Sequence, residues 1–115
     1  MIEGVFPYSS MKLKIVKEEI PRCACAGVIK PDIVFFGENV KDYDKAIKLA
    51  QASDLFFVIG TSCVVFPAAQ IPQYAPDKVV IVNLSKVIIP LNNIVLSVQE
   101  NLDSFFLKVS SYEIF

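Results

Sequence analysis

From Leu55 the chain reads L-F-F-V-I without a polar interruption, halts at Gly60-Thr61-Ser62, and turns apolar again from Cys63. A second unbroken run, Val79 to Val82, ends on Asn83. Runs of this length are too short for helices, and their continuity predicts strands buried on both faces, as in a parallel sheet. The stretch P-A-A-Q-I-P-Q-Y-A between them is the expected crossover, with a helix opening near Pro67. N-I-V-L-S-V, from Asn93, predicts a further strand, and D-I-V-F-F, between Pro31 and Gly37, predicts another.

Elsewhere the apolar period lengthens. Tyr43, Ala46, Ile47 and Ala50 recur at i, i+3, i+4, i+7, with acidic residues in the first turn where the helix dipole favours them. Leu102, Phe105, Phe106 and Val109 repeat that spacing, and Leu13, Val16 and Ile20 predict a short surface helix that ends before Pro21. Helical and strand periods alternate, which makes the class α/β: a parallel sheet of about four strands with flanking helices.

Composition narrows the picture. A chain of 115 residues has room for one core. With 54% hydrophobic and 20% charged residues it carries more apolar surface than so small a core hides, so some of that surface calls for a partner. No apolar run approaches the roughly 18 residues of a membrane span. The net charge is −1 and the lysines are scattered, which argues against direct nucleic-acid binding and against a polybasic membrane contact. Three cysteines, an odd number, and the lack of a secretory leader pattern point to a reducing cytoplasm.

The candidate chemistry lies at strand ends. In open parallel sheets ligands bind beyond the carboxyl ends of the strands, which is where Gly60, Thr61 and Ser62 fall. Glycine allows close approach, the hydroxyls and amides suit a ribose or phosphate, and the helix expected at Pro67 would add its N-terminal charge. Asn83, a polar residue ending the next strand about 20 residues on, suits a ribose. The alternative is an ordinary turn whose hydroxyls cap the next helix, because the G-x-G-x-x-G fingerprint is missing.

Four segments, "PRCACAGVIKPDIVFFGE", "SDLFFVIGTSCVVFPAAQIP", "KVVIVNL" and "IPLNNIVL", together resemble the C-terminal half of the sirtuins, the NAD-dependent protein deacylases. The resemblance runs from about Tyr8 to Leu107, and the Cys-x-Cys spacing resembles that of archaeal members. It implies a partial Rossmann-like (doubly wound) sheet over residues 31–115, preceded over residues 1–30 by a helix and the remnant of a zinc-binding module. It implies NAD contacts from Gly60, Thr61, Ser62, Asn83 and Leu84. Val34, Phe36, Gly37 and Glu38 would pair with one side of an acyl-lysine peptide, and Val64, Val65 and Phe66 with the other, in β-addition. Cys23 and Cys25 match the second half of a four-cysteine zinc site. Zinc would then need ligands from another chain, the alternative being a reduced loop with two free thiols.

What does not match matters equally. The sequence contains no histidine, whereas sirtuin chemistry uses a histidine general base on the NAD ribose. The family's glycine-rich phosphate loop, its nicotinamide pocket and the first cysteine pair have no counterpart either, so the chain corresponds to a sirtuin that begins after its first zinc ligands. No catalytic residue is assigned, and NAD binding by the lone chain is expected to be weak or absent. Two classes of function follow: part of a deacylase completed by a complementary N-terminal sirtuin chain, or a non-catalytic module that oligomerises or binds peptides. A strand edge left open by the missing half predicts a homo-oligomer.

Overall fold

The computed structural model describes residues 4–112. The chain divides into two compact units, Met1–Glu38 and Asn39–Phe115.

The first unit carries helix α1, Tyr8–Lys17. Lys14 and Glu18, one turn apart, form an ion pair of 2.7 Å, which holds the Glu18 carboxyl below the usual carboxylate range. Beyond it, Arg22 and Val28 form an antiparallel bridge that closes the cysteine loop, with the Cys23 N–H donating to the Gly27 carbonyl at 2.9 Å. The strand expected at D-I-V-F-F is not formed. Among the described residues no ladder takes up Ile33–Phe36, and the backbone turns instead: the Glu38 N–H donates to the Phe35 carbonyl, and the Glu38 carboxylate accepts from the Phe35 N–H. A β-prone run needs a neighbouring strand, and its composition alone cannot supply one.

The second unit is α/β. Helix α2, Tyr43–Gln51, leads to strand β1, Leu55–Ile59, then a 3₁₀ helix, Ala68–Tyr74. Strands β2, Lys78–Asn83, and β3, Ile94–Gln99, follow, and helix α3, Leu102–Ser111, ends the fold. The sheet is parallel throughout in the order β1-β2-β3, so it has three strands among the described residues where about four were expected. The crossover is tighter than an α-helix because Pro72 lies inside it and donates no backbone hydrogen bond.

Strand β2 is central. Val79, Val80, Ile81 and Val82 are all buried, as an uninterrupted apolar run requires. Val79 and Ile81 pack with Val58, Ala75, Val87 and Ile89 in one cluster. On the opposite face Val80 and Val82 are covered with help from α3, which lies against β2. Strand β1 departs from its expected burial on both faces. Phe56 and Val58 point to the core, whereas Leu55, Phe57 and Ile59 on the alternate face remain 41–48% exposed, with Phe106 of α3 the ring partner of Phe57 at 6.4 Å. An edge strand with a thinly covered face behaves this way.

Packing sets the energetics. Truncating the fully buried Ile81 by Ile81→Ala should cost about 2–4 kcal/mol, read as a lowered urea midpoint, while Ile88→Ala at an 81% exposed position should stay within about 0.5 kcal/mol. Equal shifts for the two variants would contradict a core centred on β2.

Candidate nucleotide site at the strand ends

Parallel pairing sets where the polar groups come out. Ile59 pairs with Val82 and Asn83 with Gln99, so the three strands end nearly level. The next residues are tied across: the Gly60 N–H donates to the Val82 carbonyl at 3.1 Å, and the Glu100 N–H to the Asn83 carbonyl at 3.0 Å. Gly60-Thr61-Ser62 and Asn83-Leu84 therefore share one rim of the sheet.

Gly60 has φ +63°, a left-handed conformation in which a side chain is strained, and a Cβ there would lie 3.3 Å from Leu102 Cδ1. Thr61 Oγ1 accepts the Cys63 N–H at 3.0 Å, which bends the loop back and leaves the threonine O–H proton available to donate. Cys63 also has positive φ, and its sulfur lies 3.8 Å from the Ala69 carbonyl. Burial pushes the Cys63 thiol above its ordinary pKa, which agrees with a packed filler and disfavours a nucleophile. Thr61, Ser62, Val64 and Val65 line a cavity of about 300 Å³ together with Val58 and Ala69. Phe66, joined to Pro67 by a cis peptide bond, is 67% exposed. A larger open groove of about 730 Å³ runs along α2 and contains none of the candidate residues.

Two details of the rim differ from expectation. The segment after Pro67 is a seven-residue 3₁₀ helix, and the N–H groups of Ala69 and Gln70 already donate to the Val65 and Pro67 carbonyls. It offers no helix-terminus charge for a phosphate. Sequence reasoning also passed over Asn101 and Ser85. Asn101 Oδ1 caps α3 by accepting the Asp103 and Ser104 N–H groups, and it sits just past β3; the signal was an asparagine ahead of an apolar-periodic run. Ser85 receives Asn83 Nδ2 on both its carbonyl and its hydroxyl, each at 3.1 Å. The polar groups at this rim, the hydroxyls of Thr61 and Ser62 and the amide oxygen of Asn83, therefore suit the ribose portion of a dinucleotide better than its phosphates.

The remaining candidates belong to the first unit. Val34 and Phe36 are exposed, Phe36 to 95%, and Gly37 has φ +87°. Glu38 fastens their turn by its 3.0 Å ion pair with Lys30, whose ammonium also lies 5.9 Å from the Phe35 ring. Cys23 and Cys25 are joined in a disulfide, contrary to the expectation of two free thiols. Sulfurs bonded to each other are not thiolate ligands, and no group of three or more histidine, cysteine, aspartate or glutamate residues able to hold a metal occurs among the described residues. Zinc does not fit the chain in this state. No helix among the described residues is long and apolar enough to cross a membrane.

A family model described as the Sir2 family matches residues 3–67. An NAD-dependent protein deacetylase of Sulfurisphaera tokodaii is 39% identical over 104 residues, covering 86% of this chain and 41% of the relative. An NAD-dependent protein deacylase of Pyrococcus abyssi is 40% identical over 68 residues, covering 56% of this chain and 27% of the relative. Among solved structures, a Sir2 complex with p53 peptide and NAD+ superimposes with a TM-score of 0.77 at 32% identity, over 90% of this chain and 45% of that one. A Sir2 with deacetylated p53 peptide and 3'-O-acetyl ADP ribose gives a TM-score of 0.74 at 33% identity, over 88% and 43%. The match takes in the cysteine loop, the Asp32–Glu38 turn and the Gly60–Ser62 rim, and with it the chain belongs to the Sir2 family. Its sheet is part of a Rossmann-like domain, and the chain spans less than half the length of these relatives.

The disulfide gives a direct count. Without reductant the unfolded chain should react with one equivalent of a thiol reagent, at Cys63, and after reduction with three; the folded chain should react slowly because Cys63 is partly buried and its pKa raised. Three reactive thiols before reduction would contradict the bond.

Proposed function

We propose that this chain supplies one part of a Sir2-type NAD site and of its acyl-lysine peptide groove, and takes part in NAD-dependent deacylation together with the portion of its relatives that it does not match. The observation that carries this reading is the level rim of Gly60, Thr61, Ser62 and Asn83 at the carboxyl ends of β1 and β2, in a chain whose relatives are NAD-dependent deacetylases and deacylases. Thr61 and Ser62 bind the nicotinamide-side ribose, and Asn83 with Leu84 the adenosine side. In the second unit Val64, Val65 and Phe66 contact an extended acyl-lysine peptide, and in the first unit the segment of Val34, Phe36, Gly37 and Glu38 contacts such a peptide by main-chain pairing. Residues 31–115 serve as the nucleotide-binding part. Residues 1–30 serve as the remnant of a zinc-binding module, in which Cys23 and Cys25 meet zinc only after their disulfide is reduced and only with ligands from another chain.

The chemistry assigns the complement its task. Deacylation consumes NAD, releases nicotinamide and moves the acyl group to ADP-ribose, and a base must take the proton of the attacking ribose hydroxyl. This sequence has no histidine to do so. General-base assistance and correct placement of the reactants are each worth orders of magnitude in rate, so the lone chain is inactive. A second reading, a non-catalytic homo-oligomer, is favoured by one observation, the exposed Leu55, Phe57 and Ile59 face of edge strand β1.

The two readings separate in one assay of nicotinamide release from NAD with an acetyl-lysine peptide. The chain alone should give no release above the blank. Adding the portion of the Sulfurisphaera tokodaii relative that this chain does not match should restore it. Turnover by the chain alone overturns the need for a complement, and silence of the mixture with a stable dimer of the chain favours the second reading.

A further inference from the structure

We propose that Ser85 is a positioning residue: it holds the Asn83 amide so that the end of β2 presents only a hydrogen-bond acceptor, which selects a ribose diol. The proposal rests on the nucleotide reading above and adds to it a residue and a polarity.

The argument is an account of donors and acceptors at one strand end. The Val82 carbonyl is taken by the Gly60 N–H, and the Asn83 carbonyl by the Glu100 N–H. The Asn83 side chain sends Nδ2 to the Ser85 carbonyl and to the Ser85 Oγ, both at 3.1 Å. A backbone carbonyl only accepts, so the amide must turn its NH₂ toward Ser85, and the two N–H bonds of that group are matched by two oxygens. What is left is Asn83 Oδ1, unpaired among the described residues. Asn83 is partly exposed, so Oδ1 meets water until a ligand arrives.

An acceptor without a donor beside it recognises hydroxyls. A ribose 2′- or 3′-hydroxyl donates to Oδ1 without loss, whereas a phosphate oxygen brings a second acceptor against it. Without the Ser85 hydroxyl, one N–H loses its partner and the backbone carbonyl alone holds the amide, which then turns over more readily and offers either end to a ligand. Discrimination then falls, because a site that hydrogen-bonds a hydroxyl rejects an analogue lacking it only while its own group is fixed.

The test uses the full chain labelled with 15N and two probes, ADP-ribose and its analogue lacking both hydroxyls on the adenosine ribose. NMR titration follows the Gly60–Ser62 amides and the Asn83 side-chain NH₂. Wild type should prefer ADP-ribose by about tenfold, Ser85→Ala by only about twofold, and Ser85→Thr, which keeps a hydroxyl, should retain the preference. Before any probe is added, Ser85→Ala should shift the Asn83 NH₂ signals and speed their exchange with water. Full preference in Ser85→Ala, or equal weakening of both probes, overturns the positioning role while leaving the nucleotide reading intact. Absence of any probe-dependent shift in wild type, both alone and mixed with the portion of the Sulfurisphaera tokodaii relative that this chain does not match, overturns the nucleotide reading and this proposal with it.

Discussion

The burial of β2 on both faces and along both edges is the constraint from which the second unit follows. Val79 and Val82 are wholly inaccessible, Val80 and Ile81 nearly so, and each neighbour pairs with this strand in parallel. Side chains alternate along a strand, so a slip of one residue would carry Val79 and Ile81 out of the cluster they share with Val58 and Ala75. Register is therefore fixed by apolar packing, and register is what levels Gly60, Asn83 and Glu100 at the rim. The chemistry of the strand ends is a by-product of how the middle of the sheet is packed. The register shift at Val79/Val80, where β3 advances from Ile94 to Leu96, places Val95 outward without disturbing the pairs nearer the rim.

What could be read from the sequence follows the strength of periodic burial. Helices α2 and α3 and strands β1, β2 and β3 stand where the 3.6-residue period and the continuous runs put them. Ile33–Phe36 failed because strand propensity reports fitness for a pleated surface, and the Phe35–Glu38 turn gives these residues none. The exposed face of β1 was hidden because a continuous run looks the same whether or not its second face is covered. At the rim, Gly60, Thr61, Ser62 and Asn83 were legible from their places at strand ends. The partners that orient them were not, since the bond of Thr61 Oγ1 to the Cys63 N–H and those of Asn83 Nδ2 to Ser85 depend on local turn geometry. Asn93 shows the same limit: its Nδ2 reaches the Ala75 and Asp77 carbonyls, clamping the crossover to the start of β3, and no periodicity announces that.

The Sir2 relationship and the physical account meet at the donor set. Hydroxyls and an oriented amide are groups for sugar recognition, and the rim has them. The 3₁₀ crossover offers no charged helix terminus for pyrophosphate, and the sequence contains no histidine. The apolar face of Leu55, Phe57 and Ile59 lies on the strand that carries Gly60 to that rim.

The central claim, that packing around β2 organises the rim, is tested most directly by native-state hydrogen exchange on the intact chain. Amides of Val80, Ile81 and Val82 should exchange last, through global unfolding only, with the Gly60 and Glu100 amides next because their bonds to Val82 and Asn83 depend on the same strand. Exchange at Val80–Val82 as fast as at the exposed turns of α1 would contradict the account.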